Sequence, residues 1–235
     1  MLSSVLLPLL LAPALLAADD APARPAKDAL QGFHHLIGAW KGTGTPSTGT
    51  RAERDRGFWT ETIRWQWRFK AKDAWLVADI EKGKHFTRFE LRHRPKTDDF
   101  SLVATTVEKD SLTYTGTLAD KRLTVDRLDP KTKQTHRLVF SLLHENRHLY
   151  AAETRAEGKT VYAKEYQVGA TKQGVPFAAG ETGPECVVSG GTGTMAVTYM
   201  GKTYYVCCSG CRDAFKEEPA KYVKEFEARK KEKKN

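Results

Sequence analysis

The stretch IRWQWRF, residues 63–69, decides the fold of this chain of 235 residues. Its apolar side chains alternate with polar ones, and this period of two is typical of a β-strand with one buried face. Similar segments follow at short intervals, separated by turn signals such as EKGK, RPKTDD and HENR. The intervals leave no room for helices, which predicts an antiparallel up-and-down sheet. The later segments are AWLVADIE (74–81), HFTRFELRHR (85–94), FSLVATTVE (100–108), SLTYTGTLA (111–119), RLTVDRLD (122–129), THRLVFSLLH (135–144), HLYAAETRA (148–156) and TVYAKEYQV (160–168).

About eight to ten such strands most simply close into a barrel, because closure leaves no exposed strand edge. A β-sandwich is the alternative. The segment LQGFHHLIGAWKGTGT, residues 30–45, predicts a short helical turn and a first strand that carries Gly38 and Trp40. This Gly-x-Trp resembles the opening of lipocalin-like (calycin) barrels, and the resemblance implies that Trp40 lies across one barrel end. We therefore predict a mainly β fold, a lipocalin-like barrel over residues 30–168, followed by a small Cys-rich hairpin-plus-helix metal module.

The N-terminal segment MLSSVLLPLLLAPALLAA, residues 1–18, contains no charged side chain and leads from an apolar run into alanines. This pattern predicts a secretory signal peptide cleaved near Ala17 or Ala18, with an uncleaved anchor as the alternative. We therefore expect a secreted or periplasmic protein. No later stretch is apolar for long enough to span a bilayer, so no transmembrane segment is expected after cleavage. Residues 19–29 are rich in Pro and Ala and predict a flexible lead-in.

The sequence changes character after the β-rich region. Residues 169–184, GATKQGVPFAAGETGP, hold four glycines and two prolines and predict a linker. Residues 185–228 form the predicted metal-binding module, in which AVTYMGKTYYV indicates a hairpin that turns at residues 200–202. Ser209 is expected to cap a following helix, and Pro219 fits the first turn of a further one.

The chain is basic, with a formal net charge of +9. Charges of both signs are scattered along the sequence, so we expect no specific nucleic-acid partner. The densest basic cluster is the tail, residues 229–235, which also contains Glu232. We predict that this tail is a solvated, frayed helix end, with electrostatic adhesion to an acidic envelope surface as the alternative.

All the cysteines of the chain, Cys186, Cys207, Cys208 and Cys211, lie in the predicted module. A loop that bears Cys186, the hairpin and a turn that enters a helix can bring Cys186, Cys207 and Cys211 together, as in small metal modules. Such a module has little core of its own, and metal–thiolate bonds can supply the missing folding energy. Thiolates are soft donors, so we predict a site for Zn or Cu, with Cys208 as a further candidate ligand.

The same residues resemble a known family. ECVVSG, residues 185–190, and VTYMGKTYYVCCSGCRDAFKEEPAKYV, residues 197–223, resemble the YHS domain and the broader TRASH family of heavy-metal modules. The resemblance implies that Cys186, Cys207 and Cys211 take the metal-ligand positions. It implies nothing about the barrel, which is most of the chain.

Two other interpretations of the cysteines stay open. In an exported protein the four could form two disulfides, although a bond between the neighbours Cys207 and Cys208 would be strained. A thiol–disulfide oxidoreductase is the other interpretation. However, the Cys-x-x-x-Cys spacing differs from the Cys-x-x-Cys redox pair, and no thioredoxin-like pattern surrounds it.

The leading functional hypothesis is a protein that binds a soft or heavy metal ion for sequestration, transfer or sensing. We find no group of residues arranged for catalysis and do not expect an enzyme. The sequence does not indicate a protein partner. The alternative is a carrier of a small apolar ligand in the barrel, with a structural or disulfide-bonded cysteine module. Aromatic strand residues would then line a cavity rather than form the core: Phe58, Trp59, Trp65, Trp67, Phe69, Trp75 and Phe86. Among the histidines, His34 and His35 are expected to be partly exposed, and His144 and His148 to face solvent.

Overall fold

The computed structural model describes residues 24–144, 146–174 and 183–233, so the predicted signal peptide, residues 1–18, lies outside the described part. Ten strands form one closed barrel of antiparallel neighbours. In chain order they are β1 (Gly38–Pro46), β2 (Trp59–Lys70), β3 (Asp73–Glu81), β4 (Phe86–Arg94), β5 (Asp99–Thr106), β6 (Ser111–Ala119), β7 (Arg122–Leu128), β8 (Thr135–His144), β9 (Arg147–Arg155) and β10 (Ala163–Lys172). Each strand pairs with the next, and β1 also pairs with β10, which confirms the predicted up-and-down barrel.

Three short helices accompany the barrel. Helix α1 (Ala26–Ala29) lies within the predicted flexible lead-in, and its last residue, Ala29, is buried. A 3-10 helix follows at Leu30–Leu36, where the sequence predicted a short helical turn before the first strand. Helix α2 (Arg51–Gly57) connects β1 to β2. Thus helical structure begins earlier than the sequence indicated.

Strand β10 continues to Lys172, so the predicted linker 169–184 begins inside a strand. Small residues such as Gly169 and Ala170 look like linker residues in the sequence. In the structure Ala170 is fully buried against the core, where a larger side chain would have to displace its neighbours. Residues 175–182 of the predicted linker lie outside the described part.

Aromatic side chains fill the middle of the barrel. Trp65, Phe89, Phe140 and Tyr150 are at most 2% exposed. Their rings contact one another at centroid distances of 5.5 to 6.3 Å. Such contacts add to the free energy of hydrophobic burial. The other aromatic residues that were considered as cavity lining or core differ in burial. Trp67 and Phe86 are buried, Trp59, Phe69 and Trp75 are partly buried, and Phe58 is exposed.

The 3-10 helix covers one end of the barrel. Its residues Leu36 and Phe33 are buried, and the Trp40 indole donates a hydrogen bond to the Leu36 carbonyl oxygen at 2.7 Å. The prediction that His148 faces solvent is wrong: its ring is 1% exposed and meets the Trp40 ring edge-on at 4.4 Å. His148 shares an inward-facing side of β9 with Tyr150, and burial lowers the pKa of His148 to about 3.

Strand β2 is longer than its neighbour β1. The pairing between them ends at Trp65, and residues 66–70 of β2 pair with β3 alone among the described strands. We call residues 66–70 the β2 overhang. Unpaired backbone groups along such an edge need other partners.

The C-terminal module contains a hairpin and two helices. Strands β11 (Met195–Tyr199) and β12 (Lys202–Val206) pair with each other, and helices α3 (Ser209–Glu217) and α4 (Pro219–Glu232) follow. The hairpin turns through positive φ angles at Met200 (48°) and Gly201 (73°), as a two-residue hairpin loop requires. Pro219 begins α4 as predicted, whereas α3 begins at Ser209 and Cys208 occupies the capping position. Among the described residues, no helix has the length and apolar character needed to cross a membrane.

Candidate metal centre

Three sulfur atoms from two separate segments meet beside the barrel. The Sγ atoms of Cys186, Cys207 and Cys211 all lie within 4.8 Å of one another, and those of Cys207 and Cys211 are 3.5 Å apart. All four cysteines are free thiols. Sulfurs placed tetrahedrally about 2.3 Å from one ion are about 3.8 Å apart, so small movements would let these three share an ion.

A tight loop presents Cys186. The N–H of Ser189 donates to the Cys186 Sγ at 3.4 Å, and the N–H of Gly190 donates to the Cys186 carbonyl oxygen at 2.9 Å. Gly190 has a φ of +80°, which a residue with a side chain rarely adopts. The N–H of Val187 donates to the carbonyl oxygen of Tyr205 in β12 at 2.8 Å. The loop is therefore held against the hairpin whose end carries Cys207.

The start of α3 presents the other two sulfurs. Cys207 follows β12 directly, Cys208 is the capping residue, and Cys211 is the third residue of the helix. No side chain caps the first turn, so its N–H groups favour negative charge nearby and stabilise thiolates. The Ser189 hydroxyl lies 3.3 Å from the Cys207 Sγ and joins the loop to the helix start.

The three thiols differ in how readily they lose a proton. Hydrogen bonds from Cys207 and Cys211 lower the pKa of Cys186, because both stabilise a thiolate there. Burial raises the pKa of Cys211. Binding of an ion by all three sulfurs therefore releases protons. Cys186 and Cys211 are 0% exposed and Cys207 is partly exposed, so Cys207 is the residue of the three that lies nearest to solvent.

Cys208 lies outside this group of three, and its role as a metal ligand stays a prediction. Its Sγ accepts a hydrogen bond from the backbone N–H of Trp67 in the β2 overhang at 3.4 Å. The neighbouring Ser209 hydroxyl donates to the Gln66 side-chain oxygen at 2.8 Å. Gly210 packs so closely that an added Cβ would lie 1.8 Å from the Trp67 carbonyl oxygen. The start of α3 thus covers the β2 overhang.

The basic tail also helps to build the centre. Arg229 donates to the Glu185 carboxylate at 3.2 Å and to the Val187 carbonyl oxygen at 3.0 Å. The Lys233 ammonium group lies 2.9 Å from the same carboxylate. Helix α4 extends to Glu232, so Arg229 and Lys233 hold the Cys186 loop in place. The predicted solvated helix end in residues 229–235 is therefore structured through Lys233.

Sequence reasoning missed several residues of the centre. Gln31, in the 3-10 helix, donates to the Ser189 carbonyl oxygen at 2.6 Å and connects the Cys186 loop to the barrel. Ser189 lies in the motif ECVVSG, so its place in the motif was an available signal. The roles of Gly210 and Arg229 depend on tertiary contacts that no local pattern shows. Within the described residues, the three cysteines are the group of His, Cys, Asp or Glu side chains close enough to hold one ion.

Comparison with known proteins agrees with this geometry. Residues 191–225 match the YHS domain family. The match contains Cys207, Cys208 and Cys211 and begins after Cys186, which the fold brings to the other two ligand candidates. No curated protein matched the chain. The YHS domain and the cysteine cluster together indicate metal binding, whereas the family match does not reach the barrel.

A second candidate site opens at the barrel end opposite the 3-10 helix. A pocket of about 260 Å³ lies there between loops and strand ends. His85 stacks on Tyr166 at a centroid distance of 3.9 Å, and Tyr114 and Arg127 also line the pocket. This volume is below that of most drug-sized ligand pockets, about 300–1,000 Å³. A ligand here would rest on the aromatic core rather than pass into it.

Proposed function

We propose that this protein binds a soft metal ion, Zn²⁺ or Cu(I), through Cys186, Cys207 and Cys211, as a carrier or store rather than as an enzyme. The observation that carries the proposal is the meeting of three thiols from two segments at one helix start, within 4.8 Å of one another. Three thiolates suit soft ions and do not suit Mg²⁺ or Ca²⁺. The bound ion would withdraw charge from the thiolates and fix the two segments together.

The partial exposure of Cys207 supports a role in transfer. An incoming thiol ligand can reach the ion beside Cys207, whereas Cys186 and Cys211 are fully buried. Exchange would start with the Cys207 bond, and the other two sulfurs would keep the ion until it is passed on. Sequestration and sensing use the same ligands and differ in what happens to the ion afterwards.

Metal analysis of protein purified under reducing conditions tests this proposal. We expect one equivalent of Zn or Cu in the wild type and in the matched control Cys208→Ser, whose altered sulfur lies outside the group of three. The double variant Cys207→Ser, Cys211→Ser should lose the ion while its barrel keeps its β-sheet circular dichroism. The proposal would be rejected if the wild-type protein contained no metal and its thiols did not bind added Zn²⁺ or Cu(I).

Export from the cytoplasm is part of the proposal. The uncharged apolar segment 1–18 supports it. Mass spectrometry of the mature chain should find an N-terminus near Asp19. Retention of residues 1–18 by the mature protein would contradict a cleaved signal peptide and leave metal binding untouched.

The pocket at the barrel end opposite the 3-10 helix favours a second candidate function, the carriage of a small ligand. The aromatic core fills the middle of the barrel, so such a ligand would be small and held near His85 and Tyr166. Native mass spectrometry of freshly purified protein tests this function. A bound species that is lost on Tyr166→Ala and kept on Cys207→Ser would place the ligand in the pocket.

A further inference from the structure

The barrel has two unlike ends. In an up-and-down barrel alternate connections lie at the same end, and five of them lie at the end opposite the 3-10 helix, where the pocket opens. We call this end the mouth. Its connections are residues 47–58, 82–85, 107–110, 129–134 and 156–162.

Large apolar side chains project from the mouth. Phe58 is 59% exposed, Val107 39%, Leu128 60% and Val161 78%. Each stands in or next to a different connection, so the four apolar groups are spaced around the opening. The opposite end of the barrel has Leu143, at 52%, as its exposed large apolar residue among those described. Single exposed apolar residues are ordinary on a protein surface. What sets the mouth apart is that four of its five connections each present one.

The two sets of strand connections also differ in charge. The five mouth connections contain nine Lys and Arg residues and six Asp and Glu residues. The opposite connections, residues 71–72, 95–98, 120–121 and 145–146, contain three of each sign. Lys82 and Lys109 at the mouth are exposed. The mouth therefore combines projecting apolar groups with an excess of cations.

We propose that the mouth docks on the surface of an anionic lipid bilayer. Apolar side chains on separate turns can each enter the boundary between head groups and acyl chains, and the cations between them can meet lipid phosphates. Docking in this way leaves the cysteine cluster clear of the lipid, because α3 lies on the β2 overhang near the opposite end.

Co-sedimentation with vesicles tests the proposal. Wild-type protein should bind vesicles of equal parts phosphatidylglycerol and phosphatidylcholine, bind phosphatidylcholine vesicles more weakly, and lose affinity as salt is raised. The variant Phe58→Ser, Val161→Ser should bind at least about tenfold more weakly, because two inserted side chains are lost. The variant Lys82→Glu, Lys109→Glu should lose the preference for anionic lipid.

The matched control is Leu143→Ser, Met200→Ser, which removes two exposed apolar side chains away from the mouth and should bind like the wild type. Circular dichroism and thermal unfolding establish that each variant is folded. The proposal is overturned if the wild type binds anionic vesicles no better than neutral ones at low salt. It is also overturned if the mouth and control variants bind equally, and neither result bears on metal binding.

Discussion

Gly210 shows how a single missing side chain lets the module reach the barrel. A Cβ at this position would meet the Trp67 carbonyl oxygen at 1.8 Å, so α3 would have to move away from β2. We expect Gly210→Ala to lower the free energy of unfolding by about 2 kcal/mol or more, as overpacking does. It should also weaken metal retention, since Cys211 is the next residue. Urea unfolding and competition with a chelator measure the two effects.

Gly169→Ala is the matched control, because an added Cβ there meets the Leu149 side chain at 3.4 Å, an ordinary contact. We expect a smaller loss of stability and unchanged metal affinity. Equal effects of the two substitutions on metal affinity would show that the close approach of Gly210 to Trp67 is unimportant for the site.

His148 gives the barrel a dependence on pH. Its pKa is lowered to about 3 by burial, so the folded protein keeps the ring neutral while the unfolded chain takes up a proton below its ordinary pKa. The stability that this neutral ring contributes is therefore present at neutral pH. It decreases as the pH falls through the pKa that His148 has in the unfolded chain. Between about pH 7.5 and about pH 5 the loss is roughly 2 kcal/mol. Chemical unfolding at both pH values should show a smaller decrease in His148→Phe; an identical decrease in both proteins would contradict this role.

At the scale of elements, the contact between α3 and the β2 overhang depends on Cys208. Its Sγ accepts a hydrogen bond from the Trp67 N–H, which lies beyond the end of the pairing between β1 and β2. Cys208→Ala should cost about 1–3 kcal/mol of stability, because a buried donor is left unsatisfied. Cys208→Ser keeps an acceptor and should cost less. Both variants should still bind one metal ion, and thermal unfolding with metal analysis separates these effects.

Most of the barrel strands, and which three cysteines cluster, could be predicted from the sequence. Alternation showed the strands because one face of each is buried, as in residues 63–69, and the motif around Cys207 and Cys211 showed the module. The end of β10 was not predictable, since Ala170 is small because it is fully buried, yet together with Gly169 it resembles a linker residue. The burial of His148 and the contact of Cys208 with Trp67 depend on which residues meet across the fold, and no local pattern encodes that.

At the scale of the whole molecule, barrel and module share one hydrophobic core. Buried module residues such as Phe215 and Tyr222 belong to the same cluster as Trp67. Removing the metal should therefore loosen the Cys186 loop and the start of α3 without unfolding the barrel. Hydrogen exchange before and after chelation should increase in residues 185–191 and 207–211 and stay constant in β4–β8. A global increase would mean that the barrel itself depends on the ion.

The uneven lengths of β1 and β2 have a consequence for how the protein can be cut. A fragment that ends at residue 174 would lose α3 and leave the β2 overhang open to water. Such an open strand recruits strands from other chains, so the fragment should self-associate in a concentration-dependent manner. The module would then protect the barrel from aggregation by covering this strand edge, whether or not an ion is bound.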